Sequence, residues 1–370
     1  MSRNATKDLT TGSPMKLILG FGIPLLFGML FQQFYNMMDT IIVGKFLGVS
    51  ALASVGATGS INFMIIGFCM GVCNGFAIPV AQRFGAKDEH GMRKFVANSV
   101  WLSIIFAVVM AVLVCVFCRQ ILELMNTPED IIDGSYSYIF VIFLGIPATY
   151  MYNLLSGLMR SLGDSKTPLY LLIFSSILNI ILDLLSIIVL KMGVAGAAWA
   201  TVIAQAVSGF CCLGVIWKKF PILHVQREEW QPDKLCILNL CNMGIPMGLQ
   251  YSITAIGSVI IQAAVNSLGS VAVASVAAAV KINMFLCCPY DAMGSTMATY
   301  AGQNVGAGKF DRLKQGEKSC TLLGLVYGIA AFIFILLFGK YLALLFVDAS
   351  EEVIINQAHL FLMCNSAFYF

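Results

Sequence analysis

Charge is the scarcest commodity in this chain. Lysine, arginine, aspartate and glutamate together make up 11% of its 370 residues, and there are only three histidines. So little charge, with 59% apolar residues and a mean hydropathy of +0.86, excludes an ordinary soluble domain and fits a polytopic membrane protein. No basic stretch is dense enough for nucleic acid. His90, His224 and His359 fall in loops or at a helix start, and no His, Asp or Glu set gathers near one membrane face. An integral-membrane enzyme therefore has no visible machinery. A cleavable leader is also missing from the pattern: residues 1–15 are polar, and the first apolar run is too long and lacks a small-residue cleavage site. Cysteine is present in twelve copies, mostly inside apolar runs, where a thiol packs as a small hydrophobe. Cys115 and Cys118 form one C-x-x-C, but no second pair or nearby histidine completes a zinc site.

What is there is a series of apolar runs near 17–44, 51–80, 95–117, 136–159, 168–190, 194–217, 238–266, 271–301, 319–346 and 353–370. Each is about the 20 residues that a bilayer-crossing helix needs, which predicts an all-α integral membrane protein. Basic residues sort by side. Arg3, Lys7, Lys16, Arg83, Lys87, Arg93, Lys94, Arg160, Lys166, Lys218, Lys219, Arg227, Lys234, Lys309, Arg312, Lys314 and Lys318 fall on one side, and only Lys45, Arg119, Lys191 and Lys340 on the other. The positive-inside rule then makes the N-terminus cytoplasmic.

An internal repeat recurs after about 221 residues. Gly22-Ile-Pro24 matches Gly244-Ile-Pro246, Leu47-Gly48 matches Leu268-Gly269, Ala53-Ser54-Val55 matches Ala274-Ser275-Val276, and Gln82 with Gly85-Ala86 matches Gln303 with Gly306-Ala307. The expected organisation is a cytoplasmic segment 1–15, a six-helix N-lobe 16–217, a cytoplasmic linker 218–236 and an incomplete C-lobe of about four helices, 237–370. The two lobes should be pseudo-symmetric, with a substrate site in the cleft between them. Residue 370 maps back to about Thr149, so the chain reads as a C-terminally truncated form of a twelve-helix protein.

Two carboxylates break the apolar pattern. Asp39 is the only charge between Leu17 and Gly44, and Asp183 the only one between Leu169 and Leu190. A charged Asp at the centre of a membrane helix costs roughly 2.5 to 3.5 kcal/mol, so such residues face an interior and mark ion or proton pathways. Gln32, Tyr35 and Asn36 share a helix face with Asp39, and Ser176, Asn179 and Ser186 share one with Asp183. An interhelical hydrogen bond alone would be met more cheaply by Asn or Ser. Carboxylate, amide and hydroxyl oxygens suit a hard cation, so H⁺ and Na⁺ compete for the same set. Lys281 and Asp291 also lie at membrane depth, ten residues and about 15 Å apart along one helix. A substrate or gating role for Lys281 stands beside a structural one. Pro24, Pro79, Pro147, Pro246 and Pro289 lie inside apolar runs, and Pro24, on the helix of Asp39, is the expected hinge.

The words Gln32-Gln33-Phe-Tyr-Asn-Met-Met-Asp39-Thr40, Pro79-Val-Ala-Gln82-Arg-Phe-Gly85-Ala86, Arg160-Ser-Leu-Gly163-Asp164, Asn179-Ile-Ile-Leu-Asp183 and Gly193-Val-Ala-Gly-Ala-Ala-Trp-Ala-Thr201 resemble those of the multidrug and toxic compound extrusion (MATE) family, prokaryotic type. The resemblance implies alternating access between two lobes and export of amphipathic, often cationic small molecules in exchange for H⁺ or Na⁺, with no cofactor and no enzymatic step. It implies a multi-pass protein of the cytoplasmic membrane acting as a monomer in the lipid bilayer. By motif it assigns proton or Na⁺ coupling to Asp39, Asn179, Asp183 and Thr201, support to Tyr35, Asn36, Tyr138 and Asn153, and substrate contact to Gln32. The alternative within the same superfamily is a flippase for lipid-linked oligosaccharides. That function calls for several cavity cations, and Lys281 is the sole candidate.

Overall fold

The computed structural model describes residues 6–344 and 351–369. Arg3, the last two residues of the 319–346 run and Phe370 lie outside them. Among the described residues the chain forms thirteen α-helices: α1 (Pro14–Leu47), α2 (Val49–Ala57), α3 (Gly59–Gly85), α4 (Glu89–Val116), α5 (Cys118–Leu124), α6 (Ile132–Leu144), α7 (Ile146–Ser161), α8 (Lys166–Leu184), α9 (Val194–Lys219), α10 (Lys234–Asn266), α11 (Ser270–Gly306), α12 (Phe310–Ala343) and α13 (Glu352–Ser366). Their starts follow local chemistry. Pro14 opens α1, where its missing N–H costs nothing. The Asp88 carboxylate accepts from the Gly91 amide at 2.9 Å to start α4, and Asp233 caps α10 through the Leu235 and Cys236 amides.

Eight of these helices are long and apolar enough to span a bilayer, and α6 with α7, bent by 46°, can make a ninth span. The sequence led us to expect ten. The difference is α13, whose 15 residues give about 22 Å of helix against a hydrocarbon core of about 30 Å. The 51–80 run divides at Thr58 into α2 and α3. The 136–159 run divides at Gly145, where a Cβ would collide with Val202 of α9. Pro147 falls in the first turn of α7, so it starts a helix instead of kinking one. His359 lies in the middle of α13 and packs against Gly339 of α12, not at a helix start.

The repeat is built into the element boundaries. Moved back by 221 residues, α10 falls on α1, α11 on α2 plus α3, α12 on α4 plus α5, and α13 on α6. Gly48 and Gly269, equivalent residues joining the first and second helices of each repeat, both adopt left-handed φ, +87° and +92°, a conformation that glycine enters without strain. The protein thus has two pseudo-symmetric helical lobes. One core gathers Phe76, Met92, Leu122, Ile139, Phe143 and Tyr150, and another gathers Ala279, Ile282, Ile335 and Leu362.

The lobes meet through small residues. Gly71 and Gly75 of α3 lie against the backbone of Met247 and Gly244 in α10, with no room for a side chain. At the ends of α3 and α11 the contact is reciprocal: a Cβ on Gly85 would strike the Gln303 carbonyl, and one on Gly306 would strike the Gln82 carbonyl. The N-terminal strap crosses this junction. The Lys7 amide donates to the Leu162 carbonyl at 2.8 Å, the Leu9 amide donates to Gln303 Oε1 at 2.8 Å, and Lys309 Nζ donates to the Thr10 carbonyl at 2.9 Å. Gln303 Nε2 in turn donates to the Ser161 carbonyl at 2.9 Å. Polar groups that the crossing buries are thereby satisfied.

Glu229 anchors the linker between the lobes. It is 1% exposed, accepts from Arg93 Nε at 2.9 Å, lies 2.9 Å from His90 Nδ1, and accepts from the Gln226 amide at 2.8 Å. Burial would raise its pKa, but the bonds from Gln226, Arg93 and His90 outweigh it and hold the carboxyl below its ordinary value of 4.5. A depressed folded-state pKa stabilises the fold above the unfolded value, and this contribution is lost as pH falls through the folded one. Glu229→Gln should therefore cost about 3 kcal/mol at neutral pH, since it strips the partner from a buried cation. That gap should narrow on acidification below pH 4.5, read by thermal melting of the detergent-purified protein. Gly306→Val should prevent the lobes from closing at the α3–α11 crossing, read as loss of the monodisperse peak and a lower melting temperature. Gly214→Val, at a position with open space around it, should leave both unchanged.

Candidate functional site

Four helices of the first lobe converge on the two carboxylates. α1 brings Tyr35 and Asp39, α6 brings Tyr138, α8 brings Asn179 and Asp183, and α9 brings Thr201. Asp183 is fully buried, Asn179 is 2% exposed and Asp39 is 9% exposed. Helix α1 packs against α8, and α8 against α9, which turns the polar stripes of the first and eighth helices toward one another and away from lipid.

The two carboxyl groups come within hydrogen-bonding reach of each other. The hydroxyls of Tyr35 and Tyr138 lie beside them, and that of Tyr35 lies close to Thr201. With its nitrogen turned toward Asp183, the Asn179 amide donates to Asp183 Oδ2 at 3.1 Å and accepts from the Thr201 hydroxyl and amide, each at 3.2 Å. Immediately after Asp183 the helix widens into a π-turn over Leu185–Val189, a distortion that recurs at functional sites. Asp39 Oδ1 and Asp183 Oδ1 are both buried with no hydrogen-bond partner. A buried carboxylate oxygen without a donor is costly. A proton between the two carboxyls, or a hard cation taking oxygens from Asp39, Asp183, Asn179 and Thr201, would satisfy both. Among the described residues no cluster of three or more His, Cys, Asp or Glu side chains is placed for a metal.

Other sequence candidates stand elsewhere. Asn36 is exposed, with its amide 3.5 Å from Gln33 Oε1 on its own helix. Asn153 donates to the Thr149 carbonyl of its own helix at 2.8 Å, while the Thr149 hydroxyl donates to Gln205 Oε1 at 2.6 Å. Gln205, one turn beyond Thr201, thus continues the polar path between α7 and α9, and nothing in the sequence pattern singled it out. Ser176 and Ser186 donate to backbone carbonyls of α8, those of Leu172 and Asp183, and not to a carboxylate. Gln32 is half-buried on α1 and Lys281 is exposed on α11. Pro24 lies within a continuous α1, where its missing N–H leaves the Gly20 carbonyl without its helical donor.

Between the lobes lies a cavity of about 340 Å³, lined by Asn74, Arg160, Gln250, Tyr251, Tyr290 and Asp291 among others. In the sequence Arg160 is one of the basic residues that sort to the cytoplasmic side. It instead reaches inward from the end of α7 and donates to Asn74 Oδ1 at 2.9 Å. Lys281 is not among the lining residues.

The family model described as MatE matches residues 24–185 and 246–370, one stretch in each repeat. The probable multidrug resistance protein YoeA of Bacillus subtilis is 31% identical over 353 residues, covering 93% of this chain and 75% of that protein. The probable multidrug resistance protein YpnP of the same organism is 28% identical, covering 95% and 79%. Among solved structures, an outward-facing conformation of a multidrug resistance MATE family transporter of the MOP superfamily superimposes with a TM-score of 0.90 at 25% identity, covering 98% of this chain and 80% of that one. A family model matching more than half of the chain, a relative above 30% identity and a shared two-lobe fold together establish that this multi-pass membrane protein belongs to the MATE family.

Proposed function

We propose that the protein is a secondary antiporter that exports amphipathic, cationic small molecules across the cytoplasmic membrane in exchange for H⁺ or Na⁺, by alternating access and as a monomer with its N-terminus in the cytoplasm. The observation that carries the reading is the pair of buried carboxylates, Asp39 and Asp183, each with an oxygen that lacks a donor and both framed by Asn179, Thr201, Tyr35 and Tyr138. Such a pair holds a proton or Na⁺ in one state and releases it in another, and the energy difference between the two states drives the lobes. Helix α1 carries Asp39 and also packs on α11 of the second lobe, so a bend at Pro24 links the site to the lobe interface. The names of YoeA and YpnP support drug export. The packed α3–α11 ends lie among the basic residues, which corresponds to a state closed to the cytoplasm. The likeness to an outward-facing transporter supports that reading. The cavity wall carries one arginine and one aspartate, a polarity that does not favour a flippase for pyrophosphate-linked sugars.

In proteoliposomes loaded with ethidium, an imposed pH or Na⁺ gradient should drive export by the wild type. Asp39→Asn and Asp183→Asn should each reduce it to the rate of protein-free vesicles while the protein still folds. If both variants keep full gradient-driven export, the coupling reading is wrong. Pro24→Ala restores the missing helical N–H, and should slow export severalfold while equilibrium ethidium binding stays at the wild-type level.

A further inference from the structure

Arg160 and Asp291 line the same interlobe cavity from opposite lobes, on α7 and α11, yet they do not pair. Among the described residues neither has an ion-pair partner. Arg160 spends one donor on Asn74 at 2.9 Å, and a guanidinium carries five. Tyr251 lines the same cavity, within electrostatic reach of both and close to Asn74, and Tyr290 and Gln250 complete the wall. Two opposite charges that face one cavity without meeting leave each without the partner that would best satisfy it. A lone cation would satisfy Asp291 while meeting the field of Arg160, and a lone anion would do the reverse.

We propose that this cavity binds amphipathic zwitterions, with a carboxylate or similar anion on the Arg160 guanidinium, an ammonium on Asp291, and the apolar body against Tyr251 and Tyr290. Arginine matches a carboxylate in the two-pronged geometry that a lysine could not supply. The aromatic rings give apolar contact area at low entropic cost. The ligand bridges the lobes, since Arg160 belongs to the first and Tyr251, Tyr290 and Asp291 to the second. This assignment rests on the proposed function in treating the cavity as the substrate chamber, and within the amphipathic substrates of that chamber it makes zwitterions preferred over simple cations such as ethidium, which bind less tightly.

The test is equilibrium binding to the purified full chain in detergent, followed by fluorescence anisotropy, with three probes that differ only in charge. These are Nα-dansyl-lysine (a zwitterion), its methyl ester (a cation) and its Nε-acetyl derivative (an anion). The zwitterion should bind about tenfold or more tighter than either singly charged probe, the scale of one charge-assisted hydrogen bond. Asp291→Asn should remove its advantage over the anion and keep its advantage over the cation, whereas Arg160→Gln should do the converse. Equal binding of all three probes to the wild type, or an advantage over the anion that survives Asp291→Asn, overturns the proposal. Asp291 is open to the cavity and among the described residues has no hydrogen-bond partner to lose, so that variant decides the matter even if Arg160→Gln, which loses the tie to Asn74, fails to fold. No gradient is applied. Failure of ion coupling at Asp39 and Asp183 would leave these binding ratios intact, and failure of the zwitterion assignment would leave gradient-driven ethidium export intact.

Discussion

The cost of keeping a carboxylate in the middle of a bilayer governs this molecule. Asp39 and Asp183 can be carried on membrane helices only if both are turned away from lipid, and the first lobe is arranged to do that. α1, α6, α8 and α9 contribute the walls, and the hydroxyls of Tyr35, Tyr138 and Thr201 and the amide of Asn179 contribute polar surface. Satisfaction is incomplete, since one oxygen of each carboxylate has no donor. In a purely structural site that deficit would be a defect. In the coupling site we propose, it would be the source of the binding energy for a proton or Na⁺.

Pseudo-symmetry explains the frame but not the site. Equivalent glycines in left-handed turns and reciprocal contacts between Gly85 and Gln303 and between Gly306 and Gln82 show two copies of one fold meeting about a shared axis. The acid was not copied with the frame. The positions equivalent to Asp39 are Ile260 and Ile261, exposed at 64% and 59% on the outer surface of α10. One lobe therefore holds the carboxylate pair, while the other contributes Asp291 and two tyrosines to the cavity wall. Helix α1 connects the two, since it bears Asp39 on one stretch and packs through Phe21 and Leu25 onto α11 residues Ala292 and Tyr300 on another.

Legibility in the sequence followed the chemistry of each position. Asp39, Asn179 and Asp183 stood out because a polar residue in an apolar run has a large, local cost, and helical periodicity assigned their faces. Thr201 did not, because a hydroxyl in a run of Gly, Ala and Trp costs little; only its motif marked it. Gln205 was overlooked for want of any motif. Asn36 shared the predicted face with Asp39, yet lies exposed beside Gln33, since a helix face is wide and the approach of α8 covers only part of it. Arg160 was misread for a geometric reason: counted along the chain it ends a helix near a loop, and its long side chain folds back into the cavity.

The sequence by itself determined the membrane helices, the repeat and the identity of the two costly carboxylates, because hydropathy, turn chemistry and insertion cost are local properties of a few consecutive residues. Only the tertiary structure decided which polar residues share a site and which charges stay apart. Asp39 and Asp183 are 144 positions apart in the chain, and Arg160 and Asp291 are 131 apart. No local rule connects the members of either pair: α1 packing on α8 brings the first together within one lobe, and the glycine-to-backbone contacts between the lobes bring the second to one cavity.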